Sequence, residues 1–149
     1  MFDNFFRKKK NLVIIAGASR FGSRLAGLMC EQEFDVVVID KNINSFCKLP
    51  DSFSGLTFDG DASDNSVLEL NNIKQCIICI AATDSDTTNS LIAQIAAKVY
   101  NVPNVYVRLN DTSNNSFLQK SNIHIICPSD LCVKEFEKQY AVKETEAAL

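Results

Sequence analysis

Only one histidine occurs in the chain, and positive charge is not in excess: 15 Lys and Arg face 18 Asp and Glu, for a formal net charge of −3. His124 has no second histidine with which to share a metal, and in Ile123-His124-Ile125-Ile126 it reads as a structural strand residue. Without global basic character, nucleic acid is not the expected partner. The longest apolar runs are of strand length, far short of the ~20 residues a membrane-spanning helix needs. The N-terminus carries no apolar h-region of the signal-peptide kind, so a cytoplasmic protein is expected. Neither a Gly/Ser linker, an internal repeat nor a low-complexity stretch divides the 149 residues.

Six cysteines are present, but Cys76, Cys79 and Cys127 fall inside or at the ends of predicted strands and Cys30 in the first helix, and with no secretory signal they read as small buried hydrophobes rather than disulfide partners. Cys76-Ile77-Ile78-Cys79 has C-x-x-C spacing. Strand alternation would send those two side chains to opposite faces, so neither redox nor metal chemistry is expected there. Arg7-Lys8-Lys9-Lys10, following Phe2, Phe5 and Phe6, forms a basic lead-in over residues 1–10. A short solvated segment is the ordinary meaning of such a run, with contact to anionic lipid the alternative.

What the chain does contain is a βαβ pattern from Asn11 to Asp40. Leu12-Val13-Ile14-Ile15-Ala16 has the length and β-branched content of a strand buried on both faces of a parallel sheet. Phe21, Leu25, Leu28 and Met29 recur at helical spacing, predicting an amphipathic helix over 21–32. Asp35-Val36-Val37-Val38-Ile39 is a second strand with Asp40 at its carboxyl end. Between the first strand and the helix lies Gly17-Ala18-Ser19-Arg20-Phe21-Gly22. Gly17 and Gly22 occupy the first and third glycine places of the dinucleotide fingerprint, and Ser19 occupies the second. There its side chain either holds a phosphate slightly away or offers a hydroxyl to it. Free N–H groups at the helix start attract anions, and Arg20 adds a positive charge beside them. Asp40 stands where this fold places an acid that accepts from ribose hydroxyls. Its charge would repel a 2′-phosphate, favouring NAD(H) or a simple adenine nucleotide over NADP(H).

Further along, the pattern predicts a brief helix over 44–49, a third strand at Gly55–Phe58, and the loop Asp59-Gly60-Asp61-Ala62-Ser63. Asp61 and Ala62 are placed either to border adenine or ribose, or simply to form a turn before a helix capped by Ser63 or Asp64 and running through Leu70. Cys76–Ala81 is a wholly apolar fourth strand. It leads into Ala82-Thr83-Asp84-Ser85-Asp86, where Thr83 or Asp84 could bond a ligand and Asp86 or Thr87 could cap the next helix, over 87–100. Strand five covers Val105–Leu109 with Arg108 near its end; a polar helix held by Phe117 and Leu118 lies within 110–121. Strand six spans Ile123–Cys127, and a last helix runs from Pro128 to Tyr140 before a short tail. The fold class expected is α/β: a Rossmann-like doubly wound parallel sheet of about six strands over 11–127, with a C-terminal helix and tail over 128–149.

Read together, GASRFG at Gly17–Gly22, VVVID ending at Asp40, GDASD at Gly60–Asp64, IICIAATDSDTTN through Asn89 and VYVRLND at Val105–Asp111 resemble the nucleotide-binding N-terminal domain of the RCK family (regulator of potassium conductance), also called TrkA-N. Ser19 departs from the glycine usual in that family's turn. The resemblance implies a regulatory domain that binds NAD(H), ATP, ADP or AMP and gates a membrane potassium channel or transporter. Carried over, the turn Gly17 to Gly22 would hold phosphates, Asp40 with Lys41 the ribose end, and Asp61 with Ala62 the adenine. Thr83 and Asp84 would lie beside the nucleotide, and Arg108 near the phosphates or a subunit contact. The resemblance also implies a homodimer or larger ring. The last helix would be the crossover helix packing on a neighbouring subunit, so that Leu131, Phe136 and Tyr140 are interface rather than core. Many members continue into a second domain, RCK-C or TrkA-C.

Two other classes stand beside this non-catalytic switch. An NAD-dependent oxidoreductase, or a methyltransferase that sets an acid after its second strand, would need a substrate site, and six strands with their helices use the chain without an obvious general acid or base elsewhere. A pure assembly module without ligand is the third class, for which Ser19 is the argument.

Overall fold

A computed structural model describes residues 11–113 and 115–149; the basic lead-in, residues 1–10, lies outside them. Six strands form one all-parallel sheet: β1 (Leu12–Ala16), β2 (Asp35–Asp40), β3 (Leu56–Asp59), β4 (Cys76–Ala81), β5 (Asn104–Arg108) and β6 (Ile123–Ile126). Their spatial order is β3-β2-β1-β4-β5-β6. Succession reverses between β1 and β4, which places a switch point at the carboxyl ends of those two strands. The helices α1 (Arg20–Glu31), α2 (Asn65–Leu70), α3 (Asp86–Gln94) and α4 (Pro128–Ala147) connect or follow the strands.

The continuous apolar strands are buried on both faces, as a sheet with helices on each side requires. On one face Ile14, Val37, Ile39, Cys79, Val105 and Val107 pack with Leu68 of α2 and Ile92 and Ala93 of α3. On the other, Val13, Ile15, Val36, Val38 and Ile80 meet Ala26, Phe21, Leu25 and Met29 of α1. Ile14 and Ile15 are both fully buried, so truncation of either to alanine removes about 2–5 kcal/mol.

Where the elements differ from the sequence pattern, local chemistry explains it. The C-x-x-C pair does not split across the sheet: Cys76 and Cys79 both belong to the α2/α3 core. Leu12 pairs Cys76 while Val13 pairs Ile78, so one extra residue in β4 inverts the alternation between the two cysteines. Burial pushes the Cys76 thiol up to about 11 and the Cys79 thiol up as well, leaving both as inert hydrophobes. Ser85, rather than Asp86 or Thr87, caps α3, its hydroxyl accepting from the Thr88 amide at 3.2 Å. That helix is α-helical only to Gln94 and finishes as a π-turn over Ile95–Val99, which puts Ala96 and Ala97 together in the core. Among its described residues, the segment 110–121 holds a 3₁₀ turn, Ser116–Leu118, in place of a helix. Its Ser, Asn and Asp side chains compete for the backbone, as Asp111 does in accepting from the Ser113 amide. Leu118 is buried there and Phe117 exposed. His124 stacks on Tyr106 with ring centroids 4.9 Å apart.

Helix α4 runs seven residues past Tyr140, to Ala147, and buries none of its residues against its own chain. Leu131, Phe136 and Tyr140 are each more than half exposed. Among the described residues, no helix is long and apolar enough to cross a membrane.

Candidate functional site

The carboxyl ends of β1, β2, β3 and β4 open into one cavity of about 410 Å³. Its centre is the turn after β1. The Gly17 amide donates to the Ile39 carbonyl at 2.8 Å, and the Ala82 amide to the Ala16 carbonyl at 2.8 Å, so the turn is hung between β2 and β4. Gly17 has φ +107°, and a Cβ there would lie 2.7 Å from the backbone of Ala82 and Thr83. Only glycine fits. A Cβ on Gly22 would overlap the Gly17 carbonyl oxygen, so this glycine serves the close approach of helix to turn.

The Ser19 hydroxyl is engaged on both sides by its own chain. It accepts from the Gly22 amide at 3.0 Å, capping α1, and donates its one proton to the Ala82 carbonyl at 2.6 Å. The side chain is therefore turned inward, 7% exposed, and its proton is engaged within the protein. Among the described residues the amides of Ser19, Arg20 and Phe21 have no backbone or side-chain acceptor. Unpaired N–H groups at a helix start are what an anionic group binds. Arg20 is exposed beside them.

Asp40, at the end of β2, accepts from the Ala18 amide through Oδ2 and from the Asn42 amide through Oδ1, each at 2.8 Å. Each carboxylate oxygen has further lone-pair capacity toward the cavity. Lys41 follows it on the rim, and Lys48, from the 3₁₀ turn Ile43–Lys48, reaches the Ala18 carbonyl at 3.4 Å. Across from these, the Asp61 carboxylate accepts from the Ser63 hydroxyl at 2.6 Å and its amide at 2.9 Å. Those two bonds, with a smaller contribution from the charge of Lys41, hold its carboxyl below the usual range. Ala62 is buried against the wall.

On the β4 side the Thr83 hydroxyl donates to Asn89 Oδ1 at 2.6 Å. Asn89 is fully buried and uses all its valences: Oδ1 accepts from the Thr83 amide and hydroxyl, while Nδ2 donates to the carbonyls of Thr83 and Arg108. It ties the ends of β4 and β5 to α3. Arg108 faces the Asp84 carboxylate at 3.7 Å, and its buried Nε has no acceptor among the described residues.

Of the residues expected from sequence, the cavity brings together Gly17, Ala18, Ser19, Asp40, Lys41, Asp61, Ala62, Thr83 and Asp84. Arg20, Phe21, Gly22 and Arg108 do not line it. The pattern missed Asn42, Ser45 and Lys48, which line the cavity from the 3₁₀ turn and its cap, and Thr88 and Ile92 from α3. A polar segment next to Asp40 was the available signal for the first group.

A parallel sheet in this order, with a glycine turn, an open helix start and an acid at the end of β2, defines a Rossmann-type nucleotide-binding domain. The TrkA-N domain family profile matches residues 13–128, and the chain belongs to that family. It is 31% identical over 111 residues to the Trk system potassium uptake protein TrkA of Streptomyces coelicolor, covering 74% of this chain and 50% of that one. With the TrkA homolog of Pyrococcus horikoshii it shares 36% over 100 residues, 67% of this chain and 43% of that one. The chain thus spans half or less of these relatives' length. In fold it is similar to the TrkA-N domain of the Escherichia coli inner membrane protein ybaL (TM-score 0.74, 14% identity, 89% of this chain, 98% of that one). It is also similar to the AMP-bound Kef CTD of Shewanella denitrificans (TM-score 0.67, 22% identity, 89% and 81%). The GsuK channel bound to NAD is a further neighbour (TM-score 0.64, 16% identity, 82% and 22%).

Proposed function

We propose that this chain is a nucleotide-binding regulatory subunit or domain of a potassium channel or transporter, and that it performs no catalysis of its own. The observation that carries the reading is the cavity at the β1/β4 switch point, where unpaired amides of the first helix stand beside Arg20 and across from Asp40. The ligand is NAD(H) or an adenine nucleotide, ATP, ADP or AMP. The amides at the start of α1 and Arg20 receive its phosphates, Asp40 and Lys41 its ribose, and Asp61 and Ala62 border its base. Arg108 acts through its contact with Asp84 at the far rim. The names of the relatives support potassium transport as the setting, and the AMP- and NAD-bound neighbours support the ligand class.

The exposed apolar residues of α4, Val133, Phe136 and Tyr140 among them, support a homodimer or larger ring, acting at the cytoplasmic side of the membrane through its transport partner. A nucleotide switches such an assembly only by binding its two geometries with different affinity. Calorimetric titration with NAD⁺, NADH, ATP, ADP and AMP, with light scattering on the free and loaded protein, tests the reading. Saturable binding of one nucleotide to a dimer or ring, with a change in hydrodynamic size, is expected. A dimer that binds none of them contradicts it.

A second reading, an assembly module without ligand, draws on one observation: Ser19 and Asp40 already satisfy groups of their own chain. The same titration separates the two.

A further inference from the structure

We infer that a second cavity, at the amino ends of β1, β2 and β3, is a docking surface for the chain's own N-terminal segment, with Phe2, Phe5 and Phe6 as its anchors. This groove of about 420 Å³ lies at the opposite end of the sheet from the cavity beside Gly17, and Leu12, Phe34, Asp35, Leu56, Leu70 and Asn71 are among its lining residues. It exists because cover runs out there. β3 begins its pairing opposite Val37, which leaves Asp35 and Val36 at the start of β2 without a paired strand on that side. Helix α2 stops after six residues at Leu70, and the chain turns away through Asn71 and Asn72, the latter at φ +63°. Leu56 and Leu70 are left 70% and 71% exposed. Single exposed leucines are ordinary, but two lining one groove make an apolar surface that fits an apolar partner.

Position, composition and charge point to the same occupant. Residues 1–10 lead through Asn11 straight into Leu12, itself part of the lining. Phe6 stands five residues before Asn11, a reach of up to ~16–18 Å of extended chain. Phe2, Phe5 and Phe6 stand at i, i+3 and i+4, the spacing that sets three side chains on one side of a helical turn. Aromatic rings anchor well in such pockets, each burying ~150–250 Å². Between these rings and the fold comes Arg7-Lys8-Lys9-Lys10. The Asn11 carbonyl accepts from the Asp35 amide at 3.1 Å, so the basic run meets the sheet beside Asp35, with Glu33 two residues before it. Both acids are exposed, and Lys74, on the α2 side, is paired with Glu69 at 3.5 Å. An acidic rim attracts the basic run and disfavours an anionic lipid surface in the same place.

The test is NMR on the full chain labelled at leucine methyls, compared with the triple variant Phe2→Ser, Phe5→Ser, Phe6→Ser. The expected result is that the Leu56 and Leu70 methyl resonances are displaced in the parent relative to the triple variant, while the amides of Ala18 to Phe21 coincide. Leu70→Asp, at an exposed position clear of the core, is expected to move the amide resonances of Phe5 and Phe6. Leu56 and Leu70 resonances that are identical in parent and triple variant overturn the inference. Ring contacts found only between differently labelled copies overturn it in favour of a second chain. Co-sedimentation with phosphatidylglycerol vesicles that needs the three phenylalanines, with the methyl resonances unchanged, overturns it in favour of lipid.

Discussion

The Asp40 carboxylate and the Ala18 amide meet at 2.8 Å, joining the end of β2 to the turn that follows β1. The acid proposed to hold a ribose is therefore also the acid that holds the turn in shape. Binding and local order share one side chain, and substitutions there act on both.

Asp40→Ala removes a charged acceptor from two backbone amides, so a loss of about 1–3 kcal/mol in stability is expected. Adenine-nucleotide affinity falls with it. Asp40→Asn keeps one acceptor oxygen and loses less of each. Urea unfolding and calorimetry on the same samples measure the two effects, and full affinity in a folded Asp40→Ala protein would exclude the ribose contact.

Ser19→Ala takes away the cap of α1 and the bond to the Ala82 carbonyl, at a cost of about 0.5–2 kcal/mol for the cap alone. Ser19→Gly loses only a few tenths from the cap, because glycine is itself tolerated at that position. Nucleotide affinity is retained in Ser19→Gly, since the hydroxyl proton points into the protein. A large loss of affinity in that variant would mean that the hydroxyl turns outward to a phosphate when ligand binds.

For Asn89→Ala the expected damage is greater. It leaves the Thr83 amide and the Arg108 carbonyl without their side-chain partner, at about 1–3 kcal/mol for each buried group left unpaired. Hydrogen exchange reports where the loss falls: faster exchange at the ends of β4 and β5, with α1 unchanged. Uniformly faster exchange across the sheet would show that Asn89 acts on the whole core instead.

Acid is expected to weaken three carboxylate contacts. The carboxyls of Asp61 and Asp64 are held below their usual range chiefly by the hydroxyls of Ser63 and Ser66, and that of Asp111 chiefly by the Ser113 amide. A carboxyl with a lowered folded value lends stability that is complete above its unfolded value of about 3.9 and is lost as pH falls through the folded one. Stability from these three groups is thus constant from neutrality to about pH 5 and declines below about pH 4. Urea midpoints across that range, for the parent and for Ser63→Ala with Ser66→Ala, measure it. The double variant should show the shallower acid decline; an unchanged slope would remove these bonds as the cause.

Much of this was legible from residue pattern. The apolar runs of β1 and β2 read as strands buried on both faces of a parallel sheet and that of β4 as a central one, and Gly17 with Asp40 marked the ends that face the cavity. Side-chain direction was less legible. Whether the Ser19 hydroxyl faces a ligand or the Ala82 carbonyl depends on how closely β4 passes the turn, a distance no local pattern encodes. The extra residue in β4 that sets Cys76 and Cys79 on one face has no glycine or proline to announce it. Asp86 looked like a helix cap because it stands at a helix start; its partners, Asn110 and Asp111, are 24 and 25 residues away. Pairings of that separation come from the fold, not from neighbours in sequence.

The central claim is that a nucleotide occupies the cavity between the Gly17 turn and Asp40. Amide chemical-shift mapping on the ¹⁵N-labelled protein, titrated with AMP, tests it residue by residue. The account predicts saturable shifts at Ala18 to Phe21, Lys41 and Asn42, and Gly60 to Ala62, with Asn71 and Asn72 at the opposite end of the sheet unmoved. Shifts confined to the opposite end, or no saturable shift with any adenine nucleotide or NAD(H), would contradict it.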